Sequence, residues 1–334
     1  MRMRWAHILL AAATASVLLL TACGRGGPER GREPDALSIG TEATPVNTLI
    51  YIAEERGYFA DNDLDVTITD DYASGAQATE ALIAGEVDIS TSAELGLVRH
   101  AIAGRRIVTH ASIDEFLHQY LVGRKDRGIA EPEDILGKTV GVPLGTGAEF
   151  NFDRFLDLRN IDKEQVTIVD VQAPDSVAAL TAGTVDAVVA WQPNVATLLT
   201  SMGTDVASWS VQNEQPTFCL TITDAAWARE NQEVMDRFLR ALAQAEDFTV
   251  EQPEEARSLI QNRLGYDDAY MNQIWPEHEF ALSLNQSLIL ALEDQARWLL
   301  GESSAETTPV PDFSNYVEIE PLRRLRPESV NVVR

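Results

Sequence analysis

One eight-residue phrase occurs twice in this 334-residue chain, and it limits the possible folds more than any other feature. Ala81-Leu82-Ile83-Ala84-Gly85-Glu86-Val87-Asp88 returns as Ala179-Leu180-Thr181-Ala182-Gly183-Thr184-Val185-Asp186, with six positions identical and a constant offset of 98 residues. A single pair of copies is too few for a solenoid. Each copy reads as the last turn of a helix, a glycine in the left-handed conformation that closes helices, and then a strand. An αβ unit used twice at this spacing implies two similarly built lobes. Chance recurrence of a common helix-to-strand phrase is the alternative.

The N-terminus carries Arg2 and Arg4, an apolar run from Ile8 to Leu20, and then Leu20-Thr21-Ala22-Cys23. A charged start, a short apolar core and small residues before a cut site describe an export signal over residues 1–22. The run is too short to cross a bilayer, which takes roughly 18–20 residues. Leu-Thr-Ala-Cys resembles a bacterial lipobox, in which cleavage leaves Cys23 as a lipidated N-terminus. An ordinary signal with an incidental cysteine is the alternative. Residues 23–35, rich in Gly, Pro and charge, read as the tether to a membrane.

The chain has 26 basic and 52 acidic residues, a net charge of −26. Loss of Arg2 and Arg4 with the signal makes it −28. Such an excess of acid opposes nucleic-acid binding, because phosphates demand the opposite sign. Lysines occur only at 125, 138 and 163. The acidity fits a saline surrounding, since salt screens self-repulsion; a melting temperature that rises from low to molar salt is the expected sign. A GC-rich genome explains the arginine bias equally well. With Cys23 lipidated, only Cys219 remains, in the apolar run Thr217 to Ile222, where it reads as a buried strand thiol.

Strands are expected at Leu37–Thr41, Leu64–Ile68, Val87–Thr91 and Ile107–Ala111, with helices between them. The alternation restarts with strands at Gln119–Gly123, Thr139–Pro143, Val166–Asp170 and Val185–Ala190. A strand at Phe218–Thr223 returns to the first lobe, and four helices follow between Glu233 and Leu300. This order predicts an α/β fold of two lobes, each a mostly parallel sheet flanked by helices. The divisions are residues 36–112 with 216–300 for lobe 1, 113–215 for lobe 2, and 301–334 as a polar linker and packed tail.

Several segments then resemble the periplasmic binding proteins that serve nitrate, sulfonate, taurine and thiamine-precursor importers. Ile52 to Phe59 is similar to that family's A-x-x-x-G-[YF]-F segment. Ser74-Gly75, Ala81-Leu82, Gly85 and Val87-Asp88 resemble its S-G…A-L…G-x-V-D run. Leu136 to Val142, Trp191-Gln192-Pro193 and Pro253-Glu254-Glu255-Ala256 match in order and spacing, so the resemblance spans Leu37 to Leu300. It implies a type II binding-protein fold with extra C-terminal helices, a small-molecule ligand held between the lobes, and delivery to an ABC permease and its ATPase by a monomer at the cell envelope. A lipoprotein that reports its ligand to a membrane sensor is the alternative.

Ligands of open parallel sheets sit beyond the carboxyl ends of the strands. That rule selects Glu42 and Thr44 after the first strand, Ser74 and Gly75 after the second, and Ser92 and Glu94 after the third. In the second lobe it selects Gly145, Thr146 and Glu149, then Asp175, then Trp191 and Gln192. The repeat offset pairs Glu94 with Gln192 on facing rims. Trp191 offers a π face or packs in the core. Four of these residues are acids and none is basic, which points to a ligand with an amine or a nitrogenous ring, unless the acids only share the general surface excess.

Enzyme readings find little support. Gly145-Thr146-Gly147 lacks the third glycine of a dinucleotide fingerprint. Glu115-Phe116-Leu117-His118 has the Glu-x-x-His spacing of a di-iron helix but occurs once. The five histidines form no metal spacing with one another or with Cys219. Thiamine-pyrimidine synthases related to the family use a cysteine-rich motif and a reactive histidine that do not appear here. No cofactor or metal is expected.

Overall fold

The computed structural model describes residues 33–213, 215–302 and 309–333, so the export signal and Cys23 lie outside the described residues. In chain order the strands are β1 (Asp35–Gly40), β2 (Leu64–Thr69), β3 (Ile89–Ala93), β4 (Ile107–Phe116), β5 (Gln119–Arg124), β6 (Thr139–Val142), β7 (Thr167–Asp170), β8 (Ala187–Trp191), β9 (Val206–Ser210), β10 (Thr217–Asp224) and β11 (His278–Glu279). They form two sheets, ordered β11-β4-β10-β3-β1-β2 and β7-β6-β8-β5-β9. Helices pack on both, giving a two-lobed α/β architecture.

The repeated phrase has the same job in each sheet. Gly85 and Gly183 take φ of 75° and 71°, and each ends a helix (Gly75–Ala84 and Ser176–Ala182) through its own N–H. The aspartate three residues on then ties the incoming strand to its parallel neighbour. Asp88 Oδ2 accepts Ser38 N–H at 2.9 Å and Ser38 Oγ–H at 2.6 Å. Asp186 Oδ2 accepts Thr139 N–H at 2.9 Å. In both copies the aspartate N–H donates back to the carbonyl of the same partner. The acid that looked like a charged strand residue is therefore a clamp between β1 and β3, and between β6 and β8.

The sheets are mixed, not mostly parallel. β10 runs antiparallel to β3 and β4, and β5 runs antiparallel to β8 and β9. The cause is how the chain changes sheets. β4 and β5 belong to different sheets, and only Leu117 and His118 separate them. The chain thus leaves sheet one at the cleft and enters sheet two from the cleft end. β9 and β10 repeat the manoeuvre in the other direction through residues 211–216.

Other boundaries move too. β4 continues in sheet one to Phe116, beyond the expected division at 112. Gln286–Glu302 is one helix, longer than expected at its end, while residues 303–308 lie outside the described set. Phe313, Val317, Ile319 and Leu322 from the tail are buried in the first core. That core is also filled by the 20-residue helix Gln232–Glu251, whose Val234, Met235, Phe238, Leu239, Leu242 and Ala245 form one apolar stripe. Among the described residues no helix is long and apolar enough to cross a membrane.

Candidate ligand-binding site

The strand ends of both sheets meet at the two crossovers, and a pocket opens there. Sheet one contributes Glu42, Ser74, Gly75, Ser92, Phe116 and Cys219, among others; sheet two contributes Gln119, Thr146, Gly147, Ala148 and Trp191, with His118 on the crossover itself.

Two helix N-termini point into the pocket. Ser74 is extended (φ −164°, ψ 160°) and caps the helix Gly75–Ala84, its Oγ accepting Gln77 N–H. Thr146 caps the helix Gly147–Leu158, accepting Ala148 N–H and donating to the Pro143 carbonyl at 2.7 Å. Gly75 is fixed by contact: a Cβ there would stand 2.7 Å from Ser92 Cα and 2.9 Å from the Thr91 carbonyl oxygen. Because both neighbours are backbone, neither can yield cheaply. Gly75→Ala is expected to cost about 1–3 kcal/mol and to weaken ligand binding, checked by thermal melting beside calorimetry.

Glu42 is the pocket's one acid, and no Arg or Lys is among the lining residues. Its backbone carbonyl accepts Asn47 Nδ2–H and the Tyr51 hydroxyl, both at 3.0 Å, which fixes the loop after β1. Its carboxyl group lies near the Trp191 side chain and the Gly75 N–H, both of which favour its ionised form. Burial pushes its pKa up to about 7 against those two neighbours. The wall facing it is flat and apolar, made by Trp191, Phe116 and the His118 ring, whose centroid lies 4.2 Å from that of Phe116. Such a site can hold a planar solute by its faces and take a hydrogen bond from it at Glu42.

Of the twelve residues singled out from sequence, Glu42, Ser74, Gly75, Ser92, Thr146 and Trp191 line this pocket. The other six do not. Thr44 is 5 % exposed and sits behind it. Glu94 is 1 % exposed, with Oε1 accepting Phe218 N–H at 3.0 Å, and burial pushes its pKa up to about 7. Gln192 is fully buried and accepts Ala196 N–H. The expected facing of Glu94 and Gln192 across the rim therefore fails. Glu94 begins a helix, which turns its side chain beneath β10, and the positions that reach the cleft come earlier, at Ser92 and Trp191. Gly145 lies at the cleft mouth and donates to Glu149 Oε2 at 2.6 Å, so Glu149 folds onto its own loop. Asp175 is exposed.

Phe116, His118, Gln119 and Cys219 were not selected. Cys219 is buried, as its context suggested, yet it forms part of the pocket wall. Among the described residues there is no cluster of three or more His, Cys, Asp or Glu placed to hold a metal.

Three similarities now bear on the chain. A formylaminopyrimidine-binding protein of Halalkalibacterium halodurans is 24% identical over 275 residues, covering 80% of this chain and 82% of that one. The taurine-binding periplasmic protein of Escherichia coli K12 is 27% identical over 203 residues, 56% of this chain and 60% of that one. Among solved structures, the alkanesulfonate-binding protein SsuA from Xanthomonas axonopodis pv. citri, bound to MOPS, superposes with a TM-score of 0.75 at 16% identity, covering 86% of this chain and 99% of that one. The model of the family described as NMT1/THI5 like matches residues 44–256, most of both sheets and the whole of the helix Gln232–Glu251, and the chain belongs to that family.

Proposed function

We propose that the protein is the solute-binding component of an ABC importer, held at the cell envelope by lipid on Cys23, and that it closes on a small planar solute carrying an amine or a nitrogenous ring. The carrying observation is Glu42: a lone carboxyl group in a pocket with no Arg or Lys among its lining residues, near Trp191 of the other sheet. A plain anion entering there would meet Glu42 with no Arg or Lys among the lining residues, and repulsion would grow as Glu42 ionises above pH 7, while the two helix N-termini would favour the anion. A neutral or cationic nitrogen ligand meets an acceptor at Glu42 and aromatic faces at Trp191 and Phe116. The similarity to a formylaminopyrimidine-binding protein supports the ring over the taurine-like solute. No chemistry on the solute is part of this reading.

Isothermal titration of 4-amino-2-methylpyrimidine, taurine, methanesulfonate and nitrate tests it. The pyrimidine is expected to bind tightest, near micromolar, about −8 kcal/mol. Tightest binding by nitrate or methanesulfonate would refute the charge argument. Lipidation is tested separately: Cys23→Ala should release the protein from membranes, and retention in the membrane fraction would remove the anchor.

A further inference from the structure

Behind the pocket wall lies a row of buried polar side chains that the binding argument above does not use. Asp114 on β4 and His278 on β11 have fully buried side chains, and His278 Nδ1 stands 2.6 Å from Asp114 Oδ2. The two-residue strand β11 exists in register with the end of β4, pairing His278 with Phe116, and this delivers the imidazole to Asp114. Phe280 stacks on the His278 ring at 5.1 Å. The His278 ring in turn meets the His118 ring edge-on, with centroids 5.2 Å apart.

His118 is where this row reaches the ligand. It is 2 % exposed, it lines the pocket, and its Nδ1 has no hydrogen-bond partner. Burial and the neighbouring His278 hold its pKa well below the ordinary histidine range, so at neutral pH the ring carries one donor and one acceptor. An unpaired buried polar atom costs about 1–3 kcal/mol. A ligand that brings a complementary edge recovers that cost, and a nitrogen heterocycle with an amino group beside a ring nitrogen is such an edge. Glu42, which lines the same pocket, then takes a second hydrogen bond from the solute. Two separated contacts fix the orientation of a flat ring where stacking alone leaves it free to turn.

We propose that His118 is the specificity-determining residue that hydrogen-bonds a planar nitrogen heterocycle, and that Asp114 and His278 are positioning residues that set its ring. This rests on the solute-binding reading above. Nothing about the Asp114–His278 pair touches the solute; its effect passes through the orientation of His118.

The test is calorimetry on the intact chain with the same four probes. His118→Phe keeps the ring and removes its hydrogen bonding, and should weaken 4-amino-2-methylpyrimidine binding at least about tenfold. His118→Gln restores a donor and an acceptor and should recover most of that loss. Asp114→Asn should weaken binding about threefold and shift the ring resonances of His118 through the edge-on contact with His278, with the melting temperature within a few degrees of wild type. Affinity of His118→Phe within twofold of wild type, or His118→Gln as weak as His118→Phe, would overturn the assignment of His118. Unmoved His118 resonances in Asp114→Asn would overturn the positioning role. Wild-type protein that prefers taurine or an anion defeats the heterocycle reading alone, and the Phe and Gln comparison on that probe then judges His118. Absence of binding to all four probes defeats both.

Discussion

Glu42→Gln is expected to weaken binding of 4-amino-2-methylpyrimidine by roughly 10- to 100-fold, the loss of about 1.5–3 kcal/mol that a hydrogen bond to a charged group represents. The variant is a close probe because glutamine keeps the size of the side chain and one acceptor oxygen while removing the charge. The loop itself is held by backbone contacts to Asn47 and Tyr51, which the substitution leaves alone. Removing the charge should also reverse the discrimination. Nitrate and methanesulfonate, repelled in the wild type, should bind several-fold more tightly to the variant, because the helix N-termini at Gly75 and Gly147 remain. Calorimetry with the two proteins side by side reads both changes. An unchanged pyrimidine affinity would mean that the carboxylate does not face the solute.

The second large effect concerns an acid that sequence reasoning placed in the site and the structure does not. Glu94→Gln should stabilise the protein at pH 8 by about 3 kcal/mol and raise the melting temperature by roughly 5 °C, with ligand affinity within twofold of wild type. In the folded chain burial raises the Glu94 pKa from 4.5 to about 7. The native state therefore holds a proton that the unfolded state gives up, and stability falls as pH rises from the unfolded value through the folded one. Glutamine removes that dependence, so the gain should be nearly absent at pH 5 and complete at pH 8. It also suits the main contact, because its carbonyl can keep the Phe218 N–H. Thermal melts at the two pH values decide the matter. A variant that is less stable at pH 8 would show that the charged form has favourable partners and that burial does not dominate.

Local features of the chain were legible in the sequence, and features set by distant partners were not. Rules that depend on local chemistry worked: Gly85 and Gly183 end helices because a left-handed stop is required there. The strand-end rule found Glu42, Ser92 and Trp191 because it needs only the end of each strand. Glu94 and Gln192 do not line the pocket, because the helix that follows each strand decides the direction of the side chain. Features that depend on distant partners were not legible. β9 has Ala207, Ser208 and Trp209 only partly buried at a sheet edge, so it shows little apolar pattern, and β11 is two residues long and exists only by pairing with β4. Phe116, His118 and Cys219 enter the pocket because two reversed strands cross at the cleft, and no periodicity within either segment announces that crossing.

The central claim is that the two halves of the chain close on a solute between them. Spin labels on Glu80→Cys and Asp175→Cys sit at exposed positions on opposite sides of the cleft, while Cys219 is buried away from labelling. Pulsed dipolar spectroscopy should then show the inter-label distance shorten and its distribution narrow when 4-amino-2-methylpyrimidine is added, with no such change for nitrate. Identical distributions with and without the pyrimidine, in protein that calorimetry shows to be saturated, would contradict closure of the lobes on the ligand.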